Sequence, residues 1–212
     1  MHKDYVFNIP KNIPLEQAAP LLCAGITVYS PLIYYGIKAG QKLAVAGLGG
    51  LGSMAVKFGV ALGCHVTVIS RGTAKKAEAI SVLGAHDYLD STDKEAWEGA
   101  KERFDQIIDT ISADHDMKSY MSTLNINGKL ILVGGPPSPI VIGAFDLIMR
   151  RKQIAGSVIG GIKETQEMLN LCGEKNIFCE VEIIKPDQIN VAYERTVAGD
   201  VKYRFSIDVS QM

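Results

Sequence analysis

From about residue 42 the chain alternates short runs of β-favouring apolar residues with longer stretches whose apolar positions recur every three or four residues. LAVAG (43–47) predicts a buried strand, and LGSMAVKFGVALG (51–63) a helix closed by Gly63. HVTVIS (65–70) predicts the next strand, and TAKKAEAISVLG (73–84) a helix with Gly84 as its C-terminal cap. HDYLD (86–90) reads as a short strand, DKEAWEGAKE (93–102) as a polar helix and FDQIIDT (104–110) as an apolar strand. Asp114 is placed to cap a helix running through Leu124. KLILVGG (129–135) predicts a strand, FDLIMRR (145–151) a helix and QIAGSVI (153–159) a sixth strand. Strands that are apolar along their length, alternating with helices, indicate a parallel sheet covered on both faces. The expected fold is therefore α/β, a doubly wound parallel six-stranded sheet of the Rossmann type.

The two ends fall outside that rhythm. Residues 1–20, with Pro10, Pro14 and Pro20, read as an extended lead-in. Beyond the helix KETQEMLNLCGEK (163–175) come EVEIIK (180–185), the helical PDQINVAYERTVAGD (186–200) and YRFSIDV (203–209). A strand, a helix and a strand after a finished sheet need another partner to pack against. The expected division is a lead-in over 1–22, a dinucleotide-binding domain over 23–175 and a return segment over 176–212.

Composition narrows the classes of function without choosing one. The 212 residues are 47% hydrophobic and 21% charged, as in an ordinary globular protein. A net charge of −1 gives no reason to expect nucleic acid or an anionic membrane as partner. No apolar run is long enough to span a bilayer, and the polar start MHKDYVFNIP lacks the apolar stretch of a signal peptide, so a cytoplasmic location is expected. Cys23, Cys64, Cys172 and Cys179 show no metal-finger spacing and read as free thiols, mostly buried. His2, His65, His86 and His115 are scattered, and Met117, Met121, Met149 and Met168 read as core filling.

The chemistry is concentrated in the first strand-to-helix corner. Gly47, Gly49 and Gly52 form a GxGxxG with Gly50 as an extra glycine, after a strand and opening a helix. Glycine there permits the tight turn, lets backbone approach a pyrophosphate and lets helix and strand pack closely, with the phosphates at the positive end of the helix. The alternative is a small-residue packing seam. At the end of the second strand an NAD site usually carries an acid for the ribose 2′-hydroxyl. Here the chain reads VISRGTAKK, with no acid until Glu78. A carboxylate near 4 Å from a 2′-phosphate would repel it by about 4 kcal/mol at an effective dielectric near 20. Ser70, Arg71 and Lys75 offer a hydroxyl, a guanidinium fork and an ammonium instead, which favours NADPH over NADH. The alternative is an exposed basic turn without a ligand.

The segments AAPLLCAGITVYSPL, AGLGGLGSMAVKF, VTVIS, IIDT, GKLILVGGP, AGSVIGGIKETQEML and DVKYRFSIDV, in this order, resemble the zinc-dependent medium-chain alcohol dehydrogenases. Within them the chain is similar to the plant cinnamyl and mannitol dehydrogenase group. The resemblance implies NADP(H) as cofactor, an alcohol or aldehyde as substrate, and remnants of a split catalytic domain at both ends. It implies that Gly47, Leu48, Gly49, Gly50, Leu51 and Gly52 hold the pyrophosphate and that Ser70, Arg71, Gly72, Thr73, Ala74 and Lys75 hold the 2′-phosphate. Thr27 would lie against the nicotinamide, with Thr110, Gly134, Ser157, Val158 and Ile159 lining the path of the cofactor. Without the resemblance, Thr110 is a strand-end cap, Gly134 a turn glycine and Ser157 a small core residue. Gly72 stands where many relatives have a phosphate-binding serine, and Ser53 replaces a common histidine.

Cys23 matches the third ligand of the family's catalytic zinc, but the upstream cysteine, the GHE histidine, the structural zinc lobe and the proton-relay hydroxyl have no match here. No catalytic residue is assigned, and zinc, present in intact relatives, is not expected to be held by one ligand. By itself Cys23, in an apolar helix, reads as a buried thiol. Edge strands of the family pair across a two-fold axis, which implies a homodimer through residues 153–161. The resulting expectation is an NADPH-dependent alcohol dehydrogenase or aldehyde reductase of the cinnamyl type with little activity alone. Two alternatives stand beside it: a non-catalytic NADPH-binding or dimerisation module, and a zinc-independent reductase of iminium or enal groups.

Overall fold

In the computed structural model, which describes residues 2–211, the helical and strand periods of the sequence resolve into two layers around one sheet. Met1 and Met212, the outer limits of the two expected end segments, lie outside the described residues. α1 (Leu15–Ala18) runs into a 3-10 turn at Ala19–Leu22, and α2 (Ala24–Tyr34) follows, so the lead-in is helical from Leu15 onward. The alternating region then gives β1 (Lys42–Ala46), α3 (Gly50–Ala61), β2 (His65–Ser70), α4 (Lys76–Ser81), β3 (Asp87–Asp90) and α5 (Lys94–Gly99). It continues through β4 (Phe104–Asp109), α6 (Met117–Thr123), β5 (Leu124–Leu132), α7 (Ala144–Ile148), β6 (Gln153–Gly156) and α8 (Ile162–Lys175).

All six strands pair in parallel in the order β3-β2-β1-β4-β5-β6, the doubly wound sheet expected from the sequence. Strand order reverses between β1 and β4, which opens a crevice beyond their carboxyl ends. Side chains alternate across β1, as a period of two requires. Leu43 and Val45 join Val66, Val68 and Ile108 beneath α2, α3 and α8, where Ile26, Phe58 and Leu169 complete the layer. Ala44 and Ala46 face the other way, toward Ile69, Phe104, Ile107, Met121 and Leu130. Both faces are dry, which explains why these strands read as continuous apolar runs. Each fully buried Leu, Ile or Phe side chain contributes about 1.5–3 kcal/mol of transfer free energy.

Several boundaries differ from the expectation. α6 starts at Met117 under an Asp116 cap, whose carboxylate accepts from Lys118 N; Asp114 instead accepts from the backbone and hydroxyl of Ser138. β5 begins at Leu124, absorbing a polar stretch in which Asn127 adopts φ +59. β6 stops at Gly156. Met117, Met121 and Met168 are buried, but Met149 is 73% exposed.

Past α8, β7 (Glu182–Ile184), α9 (Ile189–Val197) and β8 (Phe205–Ile207) form a second unit. β7 and β8 pair with each other in parallel, Glu182 opposite Phe205. Arg195 on α9 locks the crossover, bonded at 2.9 Å to both Glu182 and Asp200 with its guanidinium over the Phe205 ring. Ile183, Ile207 and Val209 are exposed on this unit, while Tyr203 packs against the main core. Among the described residues no helix is long and apolar enough to cross a membrane.

Candidate functional site

The corner between β1 and α3 is built by close approach. Gly47 turns with φ +85, its N–H donating to the Ile69 carbonyl at 2.9 Å. A Cβ added at Gly52 would stand 2.1 Å from the Gly47 carbonyl oxygen, so helix and strand meet only through glycine. Thr110, at the end of β4, fastens the same corner by donating its hydroxyl to the Ala46 carbonyl at 2.8 Å. α3 starts at Gly50 with Gly49 as its cap, a residue without a side chain, so its first N–H groups have no side-chain acceptor and point outward. In a helix of 12 residues they form a positive terminus suited to an anion.

One side chain at this corner has no counterpart in the sequence reading. Arg204, just before β8, lays its guanidinium over Gly50; a Cβ there would be 2.6 Å from Arg204 Nε. That Nε is buried and finds no hydrogen-bond partner among the described residues. An unpaired guanidinium nitrogen over a helix N-terminus makes the corner strongly receptive to negative charge. Nothing in the local sequence separates Arg204 from an ordinary strand-edge arginine, because its place depends on the return of the chain.

A cavity of about 790 Å³ opens from the corner and takes in Gly47, Leu48, Gly49, Ser70, Arg71 and Lys75. Lys75 reaches across it, donating from Nζ to the Leu48 carbonyl at 2.8 Å. The basic notch is thus joined to the glycine corner. An acid does border it, from the neighbouring strand. Asp90 Oδ1 accepts from Gly72 N at 2.8 Å, Thr92 N at 2.9 Å and the Thr92 hydroxyl at 2.8 Å. The Thr92 bonds, with that of Gly72, hold its carboxyl below the usual carboxylate range. Gly72 and Ala74 lie in the braced turn beside the notch, together with Thr73.

The far end of the cavity is aromatic. Trp97 donates its indole N–H to the Ser91 carbonyl at 3.0 Å and meets Tyr120 edge-on at 5.0 Å; His115 meets the other side of Tyr120 at 5.1 Å. Beneath them Asp109 is fully buried, its Oδ2 3.0 Å from His115 Nε2 and its Oδ1 accepting from Ile111 N. Burial pushes the Asp109 carboxyl up, against the Ile111 N–H and His115, which pull it down. The Asp109 backbone carbonyl also accepts from Val133 N and Gly134 N, so this residue ties together the two loops that follow β4 and β5. A Cβ at Gly134 would lie 2.3 Å from the Ile111 carbonyl oxygen, so the two loops meet there only through glycine. Gly134 apart, the sequence does not point to this cluster, since Trp97 and His115 sit in unremarkable polar contexts.

Other expected residues lie apart from the cavity. Thr27 is buried one turn into α2, Ser157 donates its N–H to the Leu132 carbonyl, and Val158 and Ile159 are exposed beyond the end of β6. Leu51 packs against the core at the start of α3. Cys23 is not inside an apolar helix: it is the exposed residue before α2, in a depression of about 300 Å³ shared with Arg204 and Phe205. The other three thiols are buried. Among the described residues no three His, Cys, Asp or Glu side chains converge on a metal position, and the one candidate ligand has a cation as neighbour. A tetrahedral zinc does not fit this donor set.

Comparison with known proteins gives a consistent picture. The profile of a family described as zinc-binding dehydrogenases matches residues 50–174. The chain is 54% identical over 211 residues to a probable mannitol dehydrogenase 1 of Stylosanthes humilis, covering 99% of this chain and 60% of that protein. Among solved structures it is similar to a cinnamyl alcohol dehydrogenase of Sorghum bicolor, with TM-score 0.95 and 42% identity over 99% of this chain and 60% of that one. It is also similar to the cinnamyl alcohol dehydrogenase of Helicobacter pylori in complex with NADP(H), with TM-score 0.87 and 44% identity over 99% and 59%. The chain thus spans about 60% of the length of the relatives it matches.

Proposed function

The chain belongs to the zinc-binding dehydrogenase family, and from that premise we propose that it is the NADPH-binding portion of an alcohol dehydrogenase or aldehyde reductase of the cinnamyl type. The observation that carries this is the glycine corner, open on its outer side at Gly49, with the unpaired Arg204 Nε above it and a basic notch alongside. When bound, NADPH supplies a hydride for a carbonyl carbon. The N–H groups opening α3 would take the diphosphate and Arg204 would neutralise it. Ser70, Arg71 and Lys75 would take the 2′-phosphate, with Lys75 leaving the Leu48 carbonyl to do so. Thr27 is assigned to the nicotinamide, and Thr110, Gly134 and the backbone of the 157–159 segment to the path of the adenosine and nicotinamide. The aldehyde or alcohol substrate comes from the likeness to mannitol and cinnamyl alcohol dehydrogenases. Free thiols favour a reducing compartment, the cytoplasm.

The donor set at Cys23 supports no zinc-dependent step on this chain, so little turnover is expected from it alone. A second role is favoured by a separate observation: β6 is an open edge strand, and Val158, two residues beyond its end, is 88% exposed. A homodimer through this edge would cover both. Titration of the pure chain with NADPH and NADH, then an assay with cinnamaldehyde with and without zinc, tests the assignment. Preferential NADPH binding with no sustained turnover is expected; failure to bind either dinucleotide would overturn it. Sizing by light scattering tests the dimer.

A further inference from the structure

The turn that carries the basic notch does not hold its shape by itself. Gly72 sits at its centre in the left-handed region, φ +65, and a Cβ there would meet nothing within 4 Å. Glycine is used here for its backbone conformation and not for space. Both polar groups of Gly72 are taken by β3. The Tyr88 hydroxyl donates to the Gly72 carbonyl at 2.8 Å, and Asp90 Oδ1 accepts the Gly72 N–H at 2.8 Å. The strand ends are joined as well, since Ser70 pairs with Asp90 and Ser91 N donates to the Ser70 carbonyl at 2.9 Å. Thr92 gives Asp90 two more hydrogen bonds, which fix its carboxylate at the border of the notch.

Two consequences oppose each other. The brace holds the 70–75 turn in one conformation, which lowers the entropy lost when a phosphate is gripped. The same carboxylate occupies the Gly72 N–H and brings a negative charge toward an incoming dianion. We propose that Tyr88 and Asp90 are positioning residues that set how strongly this site prefers a dinucleotide bearing a 2′-phosphate over one bearing a free 2′-hydroxyl. This rests on the cofactor assignment above. Asp90 acts from the strand next to the notch, where its charge opposes a 2′-phosphate without bonding the ribose.

The substitutions Asp90→Asn and Tyr88→Phe separate the two effects. Asparagine keeps an acceptor oxygen for Gly72 and Thr92 while removing the charge. Phenylalanine keeps the ring and removes the hydroxyl, with its bond to the Gly72 carbonyl and its contact with the Ser70 side chain. NADPH and NADH affinities are measured for both variants and the parent, with melting temperature as a check on folding. Asp90→Asn should tighten NADPH about threefold with NADH changed less than twofold. Tyr88→Phe should weaken NADPH about threefold, again with NADH nearly constant. Equal shifts for the two dinucleotides, or no shift in either variant, would overturn the proposal while leaving the cofactor assignment intact. If the parent binds neither dinucleotide, the assignment falls and the proposal with it. Should Asp90→Asn not fold, the NADPH-to-NADH ratio of Tyr88→Phe decides alone.

Discussion

Replacing two glycines of one corner by alanine should separate folding from anion binding. At Gly52 the new Cβ would lie 2.1 Å from the Gly47 carbonyl oxygen and 3.0 Å from its carbon, against an ordinary contact of 3.4–4 Å. The obstruction is backbone, so α3 must move away from β1 by roughly an ångström. Overpacking of this kind costs about 1–3 kcal/mol, and a rigid neighbour puts it at the upper end. For a chain of this size that is a fall in melting temperature of roughly 6–12 °C. At Gly49 the new Cβ would meet nothing within 4 Å and would face the cavity. Gly49→Ala should therefore melt within about 2 °C of the parent. It would still obstruct close approach of a diphosphate to the opening of α3. Losing one charge-assisted backbone contact of about 1.5–3 kcal/mol weakens NADPH roughly tenfold to a hundredfold. The single tryptophan, Trp97, lines the same cavity and gives a fluorescence readout of binding, alongside a circular-dichroism melt. A Gly49→Ala chain that binds NADPH as tightly as the parent would refute the cradle.

Arg204→Gln should weaken NADPH and NADH by the same factor, about tenfold, because both carry the diphosphate; calorimetric titration with each dinucleotide checks the equality. Lys75→Met should instead weaken NADPH about tenfold and leave NADH within twofold, since its partner would be the 2′-phosphate; a uniform loss would place Lys75 on the diphosphate. Asp109 carries a pH prediction. Its folded carboxyl is raised above 3.8 by burial, so between that value and its folded value the native state holds a proton that the unfolded chain has released. The contribution of Asp109 to stability should fall as pH rises through that window, and the difference between parent and Asp109→Asn should carry that slope, as read from urea midpoints at about pH 4 to 7.

Much of this fold is legible in the chain. β2 and β4 bury Val66, Val68 and Ile69, and Phe104, Ile107 and Ile108, because both sheet faces are covered, and these apolar residues make the strands readable. The glycine corner is legible for a steric reason, since only glycine lets Gly52 approach the Gly47 carbonyl. The boundaries that slipped had two valid local solutions. Asp114 and Asp116 can each cap a helix, and the Ser138 loop claims the first. The expected helix runs through Leu124 and the expected strand starts at Lys129, yet Leu124 pairs with Phe104 and the ladder resumes at Lys129, so the strand takes in the residues between as an irregularity.

The sequence by itself determined the order of strands and helices and the place of the anion-receptive corner, because periodicity, capping and glycine sterics act within a few residues. Tertiary structure alone decided that Arg204 lies over Gly50, that Asp90 and Tyr88 grip Gly72, and that Asp109 ties two loops beneath Trp97 and His115. Arg204 and Gly50 are far apart in the chain, and the other contacts reach from one element to the next across a loop or a neighbouring strand. Their geometry is set by how the helices pack on the sheet and where the C-terminal segment returns, which no local pattern of residue types encodes.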